Sequence, residues 1–423
     1  MLSALRSVFL RSVLWIGLLG LCPAARAQTT IQVDVGRGPI TVYVPSSYDP
    51  AERTPLLILL HAILFNGNIQ EAYFKLRPEA EARGILYAYP DGTVDAIGTR
   101  FWNATDACCD FYGSGVDDEG YVLDLLDAIE RVLNVDPRRV WLAGHSNGGF
   151  LGHRLICSFG ERFAALGNLA GPTWKDPANC PATDPISVLQ VHGTIDPVVL
   201  YGGGFWIGMP PYPGVQYTAN WWGTFNGCDP VDKSAPWIDL SSLVIGNETQ
   251  VWRWKNGRAG TEVEHWKMNL SQHSPVFNST FAPRFMDWFE AHPRAGVGSG
   301  FCESHVNSSG RPARMDAEGS ASVSAADLTL RAVALPPGAA GGFLHGEERD
   351  ATPFGQGLRC VAGGSLRRLL LAQADGTGTA RYALTGGAPG FLAGTTHHFQ
   401  FLFRDGNGSL PGMTDGLSIT FLP

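Results

Sequence analysis

"RVWLAGHSNGGFLGHRL", residues 139–155, runs from an apolar stretch through a serine set between glycines into a helical pattern. As a bare G-x-S-x-G match, Gly144 to Gly148 says little, because a chain with 52 Gly supplies that pattern readily by chance. The setting is more informative. Val140-Trp141-Leu142-Ala143 is a short apolar run suited to a buried strand. Phe150, Leu151, His153, Arg154 and Leu155 then continue at helical spacing. Asn147, Gly148 and Gly149 keep side chains small where a strand must turn sharply into a helix. A strand, a tight turn and a helix in that order present a serine hydroxyl at the tip of the turn, as in a nucleophile elbow. Ser146 is therefore the candidate nucleophile.

Working outward, "TIQVDV" and "PITVYV" alternate like an opening hairpin, and "PLLILLHA" (55–62) is a continuous apolar run, as a strand covered on both faces requires. Further strands are expected at 84–90, 139–145, 163–171, 186–192 and 263–268. Helical patterns lie near 69–83, 117–133, 147–159, 215–227 and 279–292. Such alternation predicts an α/β domain over 28–293, with a mostly parallel central sheet and helices on both faces. "RAGVGSG" (294–300) reads as a linker. From 301 to 423 Gly-rich turns separate short alternating runs such as "HHFQFLF" and "LSITFL", which predicts an all-β, sandwich-like accessory domain. All 12 tryptophans precede residue 289, so that domain lacks the aromatic platforms of a typical sugar-binding module.

Arg6 and Arg11 precede the apolar run "SVLWIGLLGL", which ends at Pro23 and "AARA". Residues 1–27 therefore read as a secretory signal peptide cut before Gln28, implying export to the extracellular space or periplasm. No segment reaches the roughly 20 apolar residues of a membrane span, so no membrane anchor is expected. Removing the leader takes the formal charge from −8 to −11, and nothing is basic enough to suit nucleic acid. Oligomeric state is not legible.

A nucleophilic serine needs a general base, and the base needs an orienting acid. Behind a nucleophile elbow the chain order is Ser, Asp or Glu, then His. Asp196 follows the strand pattern "ISVLQVH", with Gly193 to turn the chain and Pro197 to fix it. Asp229 and Asp232 follow a helix-like stretch instead. For the base, His265 sits within a strand pattern, and His292 lies at a helix C-terminus, where a cation is favourable without a catalytic role. His273 lies in the loop between the last strand and the closing helix, where the triad order demands it. His145 and His192 flank turns and read as structural hydrogen-bonders. The oxyanion needs two backbone donors, expected from Asn147 and from Ile63 in the loop "LLHAILFNGN".

Seven of the 12 tryptophans fall between Trp206 and Trp266. Within "GGGFWIGMPPYPG", Trp206 and Tyr212 are candidates for a substrate pocket, with Trp102 in "FWNATDACCD" a third. In an oxidising compartment disulfides are expected. Cys157 and Cys180 are one candidate pair, contributing roughly 3 kcal/mol by loop closure, and Cys302 and Cys360 are another. Cys108, Cys109 and Cys228 are not assigned. No His/Cys/Asp/Glu spacing resembles a metal site, and no cofactor is expected.

"LLHAILFNG", "YAYPDGT", "RFWNATDACCD", "GVDDEGYVLDLLDAI", "VDPRRVWLAGHSNGG", "HGTIDPVVLYGG" and "HSPVF", taken in order over residues 30 to 293, resemble the secreted polyhydroxybutyrate-depolymerase-like and feruloyl-esterase-like α/β-hydrolases. The resemblance implies the α/β-hydrolase fold, Ser146, Asp196 and His273 as triad, and hydrolysis of carboxylic esters. The chain departs from the family in having His61-Ala62 where His-Gly is usual; a positive φ at Ala62 would be strained. An ester substrate, possibly polymeric, is the expected partner, a polyhydroxyalkanoate first. Feruloyl or acetyl-xylan esters are the alternative. A non-catalytic extracellular binder on a hydrolase scaffold is the rival of another class.

Overall fold

The computed structural model of the chain describes residues 28–294, 296–324, 326–364, 366–384, 391–406 and 410–422. The leader assigned to 1–27 lies outside the described residues. A nine-stranded sheet forms the body of the first part. Its strands are β1 (Thr29–Asp34), β2 (Pro39–Val44), β3 (Thr54–Leu60), β4 (Leu86–Ala88), β5 (Val135–His145), β6 (Ala165–Leu169), β7 (Ser187–Gly193), β8 (Thr249–Trp254) and β9 (Val263–Met268). They lie in the order β1-β2-β4-β3-β5-β6-β7-β9-β8. The strands from β4 to β9 along this order are parallel, with β1–β2 and β8 added antiparallel at the two edges. This is the α/β-hydrolase arrangement.

Burial explains the central strands. Every residue of β3, β6 and β7 is buried, because helices cover both faces and leave no room for polar alternation. The helices are α1 (Gly67–Phe74), α2 (Arg77–Arg83), α3 (Asp118–Val132), α4 (Asn147–Ser158), α5 (Val215–Asn226) and α6 (Phe281–Ala291). One core holds Leu56, Ile58, Leu125, Ile129, Leu142 and Phe150 on one face of the sheet. The other face packs Leu57, Leu59, Trp141, Phe281, Phe285 and Phe289.

Two elements differ from expectation. The single helix expected near 69–83 is two, because Lys75 adopts φ 57° and caps α1, and Pro78 opens α2. A proline there cannot donate to the carbonyl four residues back and clashes with it, so the axis must break. Strand β8 was not expected. Its sequence, TQVWRW, leaves only Gln250 and Arg253 partly exposed, with no polar–apolar alternation, and its pairing with β9 is what identifies it.

Beyond α6 the described chain contains no helix. Ser299–Phe301 (β10) pairs with Gly416–Thr420, so the end of the 294–300 stretch already belongs to a strand. A six-stranded and a three-stranded antiparallel sheet share a core of Met315, Leu330, Phe343, Phe399, Phe401 and Ile419. This antiparallel region is joined to the first by more than chain continuity. Arg53, just before β3, donates from Nε and Nη2 to Asp415 Oδ2 at 2.8 and 2.6 Å, both residues being buried. Arg53 Nη2 also donates to the Met315 carbonyl at 2.7 Å, and Arg314 donates to the Val135 carbonyl.

Candidate active site

Parallel strands bring their C-terminal ends to one edge of a sheet, and loops at that edge carry the expected triad. Ser146 sits between β5 and α4 with φ 52° and ψ −118°, a left-handed conformation that a non-glycine residue adopts only when its surroundings enforce it. Two contacts enforce it here. The Ser146 amide donates to the Leu169 carbonyl at 2.7 Å, tying the turn to the end of β6. Behind it, a Cβ on Gly148 would run into the Leu60 and His61 carbonyls, so only glycine lets α4 approach β3 this closely.

Asp196 and His273 come together from loops after β7 and β9. His273 Nδ1 lies 2.7 Å from Asp196 Oδ2, and the other carboxylate oxygen accepts the Val198 and Val199 amides at 2.8 and 3.0 Å. A Cβ on Gly193 would strike the Ser271 and Gln272 carbonyls, so that glycine allows the two loops to touch. Burial pushes the Asp196 carboxyl up. The hydrogen bonds and positive ends of His192 and His273 outweigh burial and hold it well below the usual carboxylate range. His273 is thus oriented through Nδ1, and its Nε2 is not used in that contact. Among the described residues, neither Ser146 Oγ nor His273 Nε2 has a hydrogen-bond partner. Such contacts are often long before substrate arrives and tighten when it binds.

His192, read from the sequence as a structural hydrogen-bonder, is one. Its Nε2 lies 2.8 Å from the Val199 carbonyl and 3.1 Å from Asp196 Oδ2, so that nitrogen carries the proton and shares it between the carbonyl, the nearer acceptor, and the acid. Its neighbour in space, His265, is committed elsewhere, with Nδ1 at 2.8 Å from the Gln190 carbonyl and Nε2 at 2.9 Å from the Tyr201 hydroxyl. His292 Nδ1 lies 2.6 Å from the Trp288 carbonyl. His145 is buried beside His273, at 5.2 Å between ring centroids, and burial together with that imidazole pushes it down to about 3.

Among the described residues the amides of Ile63 and Asn147, the expected oxyanion donors, have no acceptor. The loop that carries Ile63 is held by side chains. The Ala62 amide donates to Gln70 Oε1 at 3.1 Å, and the Gly92 amide donates to His61 Nε2 at 2.9 Å. That fixes the proton of His61 on Nδ1, which donates to the Ala62 carbonyl at 2.8 Å. Burial pushes His61 down to about 4, so it stays a neutral strut near pH 7. Gln70 carried one sequence signal: it is a polar residue on the buried face of α1, with Gly67 and Phe74.

Positive φ in this loop falls on Leu64 (φ 69°), and Ala62 is not among the positive-φ residues. Ala62→Gly is therefore expected to leave turnover unchanged and to lower stability by about 0.5–1 kcal/mol through added freedom of the unfolded chain. Steady-state kinetics beside thermal unfolding would check this. A tenfold rise in kcat would mean that the alanine distorts the oxyanion loop.

The pocket candidates need correction. Trp102 is fully buried and cannot line an open pocket. Its indole Nε1 donates to the His61 carbonyl at 3.1 Å, and its backbone exchanges hydrogen bonds with the Asn147 side chain at 2.7 and 2.9 Å. It is a clamp between the elbow and the oxyanion loop. Tyr212 is also buried, its hydroxyl accepting the Leu200 amide at 3.1 Å. Trp206 is half-buried and packs on Tyr212 at 4.6 Å between centroids. In that insertion the exposed apolar residues are Phe205 (70% exposed) and Ile207 (98%), which the sequence reading passed over.

Cys157 pairs with Cys180 and Cys302 with Cys360, at Cα separations of 4.9 and 6.1 Å. Cys108 and Cys109 pair with each other, beside the Asn147 side chain, whose Nδ2 lies 3.6 Å from Cys108 Sγ. Cys228 is free. Among the described residues no group of three or more His, Cys, Asp or Glu could hold a metal ion.

Residues 40–220 match the family described as "Esterase PHB depolymerase". The match covers less than half of the chain. The matched segment contains Ser146 and Asp196 and ends before His273. The chain is similar to feruloyl esterase B of Piromyces equi, 29% identical over 196 residues, or 45% of this chain and 35% of that protein. It is also similar to the bifunctional acetylxylan esterase/xylanase XynS20E of Neocallimastix patriciarum, 28% identical over 162 residues, or 38% of this chain and 22% of that protein. The chain thus spans well under half the length of either relative. Among solved structures, the acetyl xylan esterase from Aspergillus awamori is 16% identical with a TM-score of 0.44, covering 62% of this chain and 99% of that one.

Proposed function

We propose that the chain is an exported serine esterase that cleaves carboxylic esters through an acyl-enzyme on Ser146. The observation that carries the proposal is the 2.7 Å Asp196–His273 contact, made by two loops at the sheet edge where Ser146 is held at positive φ. Ser146 Oγ attacks the acyl carbon while His273 Nε2 takes the hydroxyl proton, and the carbonyl electron pair moves onto oxygen. The Asn147 and Ile63 amides bind that oxyanion. Collapse of the intermediate breaks the C–O bond, and His273 returns its proton to the departing alcohol. Water then repeats the sequence on the acyl-enzyme, releasing the acid and Ser146.

The leading substrate class is a polyhydroxyalkanoate, oligomeric or polymeric. Apolar residues beside the site support it: Leu64 next to Ile63, and Ile195 and Val198 next to Asp196, are each 46–70% exposed. Such a surface suits an apolar polyester segment. The second reading, a feruloyl or acetyl ester of plant polysaccharide, is supported by the names of the curated relatives. Export is supported by three disulfides among the described residues, which persist in oxidising compartments.

A fluorophosphonate is expected to label Ser146 stoichiometrically, and hydroxybutyrate oligomers to be cleaved faster than feruloyl esters or acetylated xylan. Absence of labelling in the folded protein would remove the esterase reading and favour a binder. Faster turnover of the polysaccharide esters would leave the mechanism standing and replace the substrate.

A further inference from the structure

A cavity of about 700 Å³ opens at the β8 edge of the sheet, between β8–β9 and α6, with the segment around Trp237 as its outer wall. It is not part of the triad site. Glu262 and Glu264 line it from the start of β9, whereas His273 follows the end of that strand. Four residues of strand, about 13 Å, separate Glu264 from Met268 alone. Nothing in the proposed mechanism uses this cavity.

Its chemistry is specific. Three acidic side chains, Glu262, Glu264 and Asp287, line it with three basic ones, Arg253, Lys255 and Arg284, and with His292, whose Nε2 lies 3.6 Å from Glu262. A lining with equal numbers of opposite charges attracts neither a free anion nor a free cation. It offers instead many donors and acceptors side by side, which is what vicinal hydroxyl groups need, since each hydroxyl both donates and accepts. Part of the lining is fixed in advance. Glu264 accepts from Arg253 Nε at 2.7 Å and from Trp266 Nε1 at 2.8 Å. Other donors are uncommitted: among the described residues neither Lys255 nor Arg284 has an ion-pair partner.

At the rim, Trp237 is 45% exposed. Its backbone is anchored, since Asn247 Nδ2 donates to its carbonyl at 3.0 Å and Ile238 next to it bridges to Thr249. An anchored, half-exposed indole beside balanced charges gives an apolar face for C–H groups and polar groups for hydroxyls. The volume lies within the range of small-ligand sites, roughly 300–1,000 Å³.

We infer that this cavity binds a neutral oligosaccharide, at a site separate from Ser146. Bound there, a polysaccharide would hold the enzyme on its surface and raise the effective concentration of any ester attached to it. That consequence rests on the polysaccharide-ester reading; the binding itself does not.

The binding is therefore tested without catalysis, by calorimetry on the full chain carrying Ser146→Ala. The probes are xylotetraose, cellotetraose and maltotetraose, with tetragalacturonate as the anionic comparison. Saturable binding of at least one neutral probe is expected, with tetragalacturonate weaker by about tenfold or more. Trp237→Ala and Arg284→Ala should each weaken the neutral probe by about tenfold. Both side chains are exposed, and an unchanged unfolding temperature would show that the variants fold. No neutral probe binding up to about 10 mM, equal binding of tetragalacturonate, or unchanged affinity in Trp237→Ala would each overturn the inference.

Discussion

Ser146→Ala is expected to abolish ester turnover, with kcat falling by about 10⁴-fold or more, and His273→Ala to do nearly the same. The double variant should be hardly worse than either one, because a nucleophile without its base and a base without its nucleophile fail at the same step. Geometry favours His273 as the proposed base. His273 is held through Nδ1 by Asp196, while both ring nitrogens of His265 are engaged by the Gln190 carbonyl and Tyr201. His265→Ala should thus act on stability and leave kcat within a few-fold. His192→Ala should fall between, because it removes a hydrogen bond to Asp196 without touching the reacting atoms. Catalysis needs the neutral form of the His273 ring, since only that form accepts the serine proton. Asp196 does not titrate in the neutral range, because its neighbours hold it ionised well below that range. An active, folded Ser146→Ala protein would end the mechanism. A dead His265→Ala protein beside an active His273→Ala one would reassign the base.

The parts of this site that could be read from sequence are those whose signals are local. A nucleophile elbow is a strand, a tight turn and a helix within about a dozen residues, and each leaves its own pattern. Asp196 and His273 follow from chain order and from lying just after strand patterns. The supports are different in kind. Trp102 was read as pocket wall because a tryptophan near a site invites that reading; only the fold places its indole against the His61 carbonyl, 41 residues away. His192 sits four residues before Asp196, yet its donation to that carboxylate depends on the turn between them. The break at Lys75 had a local signal in Pro78, and the edge strand β8 had little signal at all. Nothing local announced the charge-balanced cavity beside that edge, because its lining comes from three separate segments.

The junction between the α/β part and the antiparallel part yields the other large expected effect. Asp415→Ala should destabilise the folded chain by about 3–5 kcal/mol, the usual cost of leaving a buried cation without its partner. Burial opposes the Arg53 charge, but Asp415 and Asp136 outweigh it and raise its pKa, so the guanidinium remains charged. Arg314, also buried, is pushed down by desolvation, and Asp415 is among the charges that support it. Removing one carboxylate therefore strands Arg53 and weakens the environment of Arg314. Met315 would also lose an acceptor, since its amide donates to Asp415 Oδ1 at 2.7 Å. Thermal unfolding should register a drop on the order of 5 °C. Replacing both partners by apolar residues, as in Arg53→Met with Asp415→Leu, should recover much of the loss, because no charge is then left buried. Hydrolysis of small soluble esters below the transition should be unaffected in both proteins, since Asp415 touches no residue of the triad. An unfolding temperature within about 2 °C of the parent for Asp415→Ala would show that the pair does not secure the junction. A double variant less stable than the single one would place the stabilisation in Arg53's bond to the Met315 carbonyl instead.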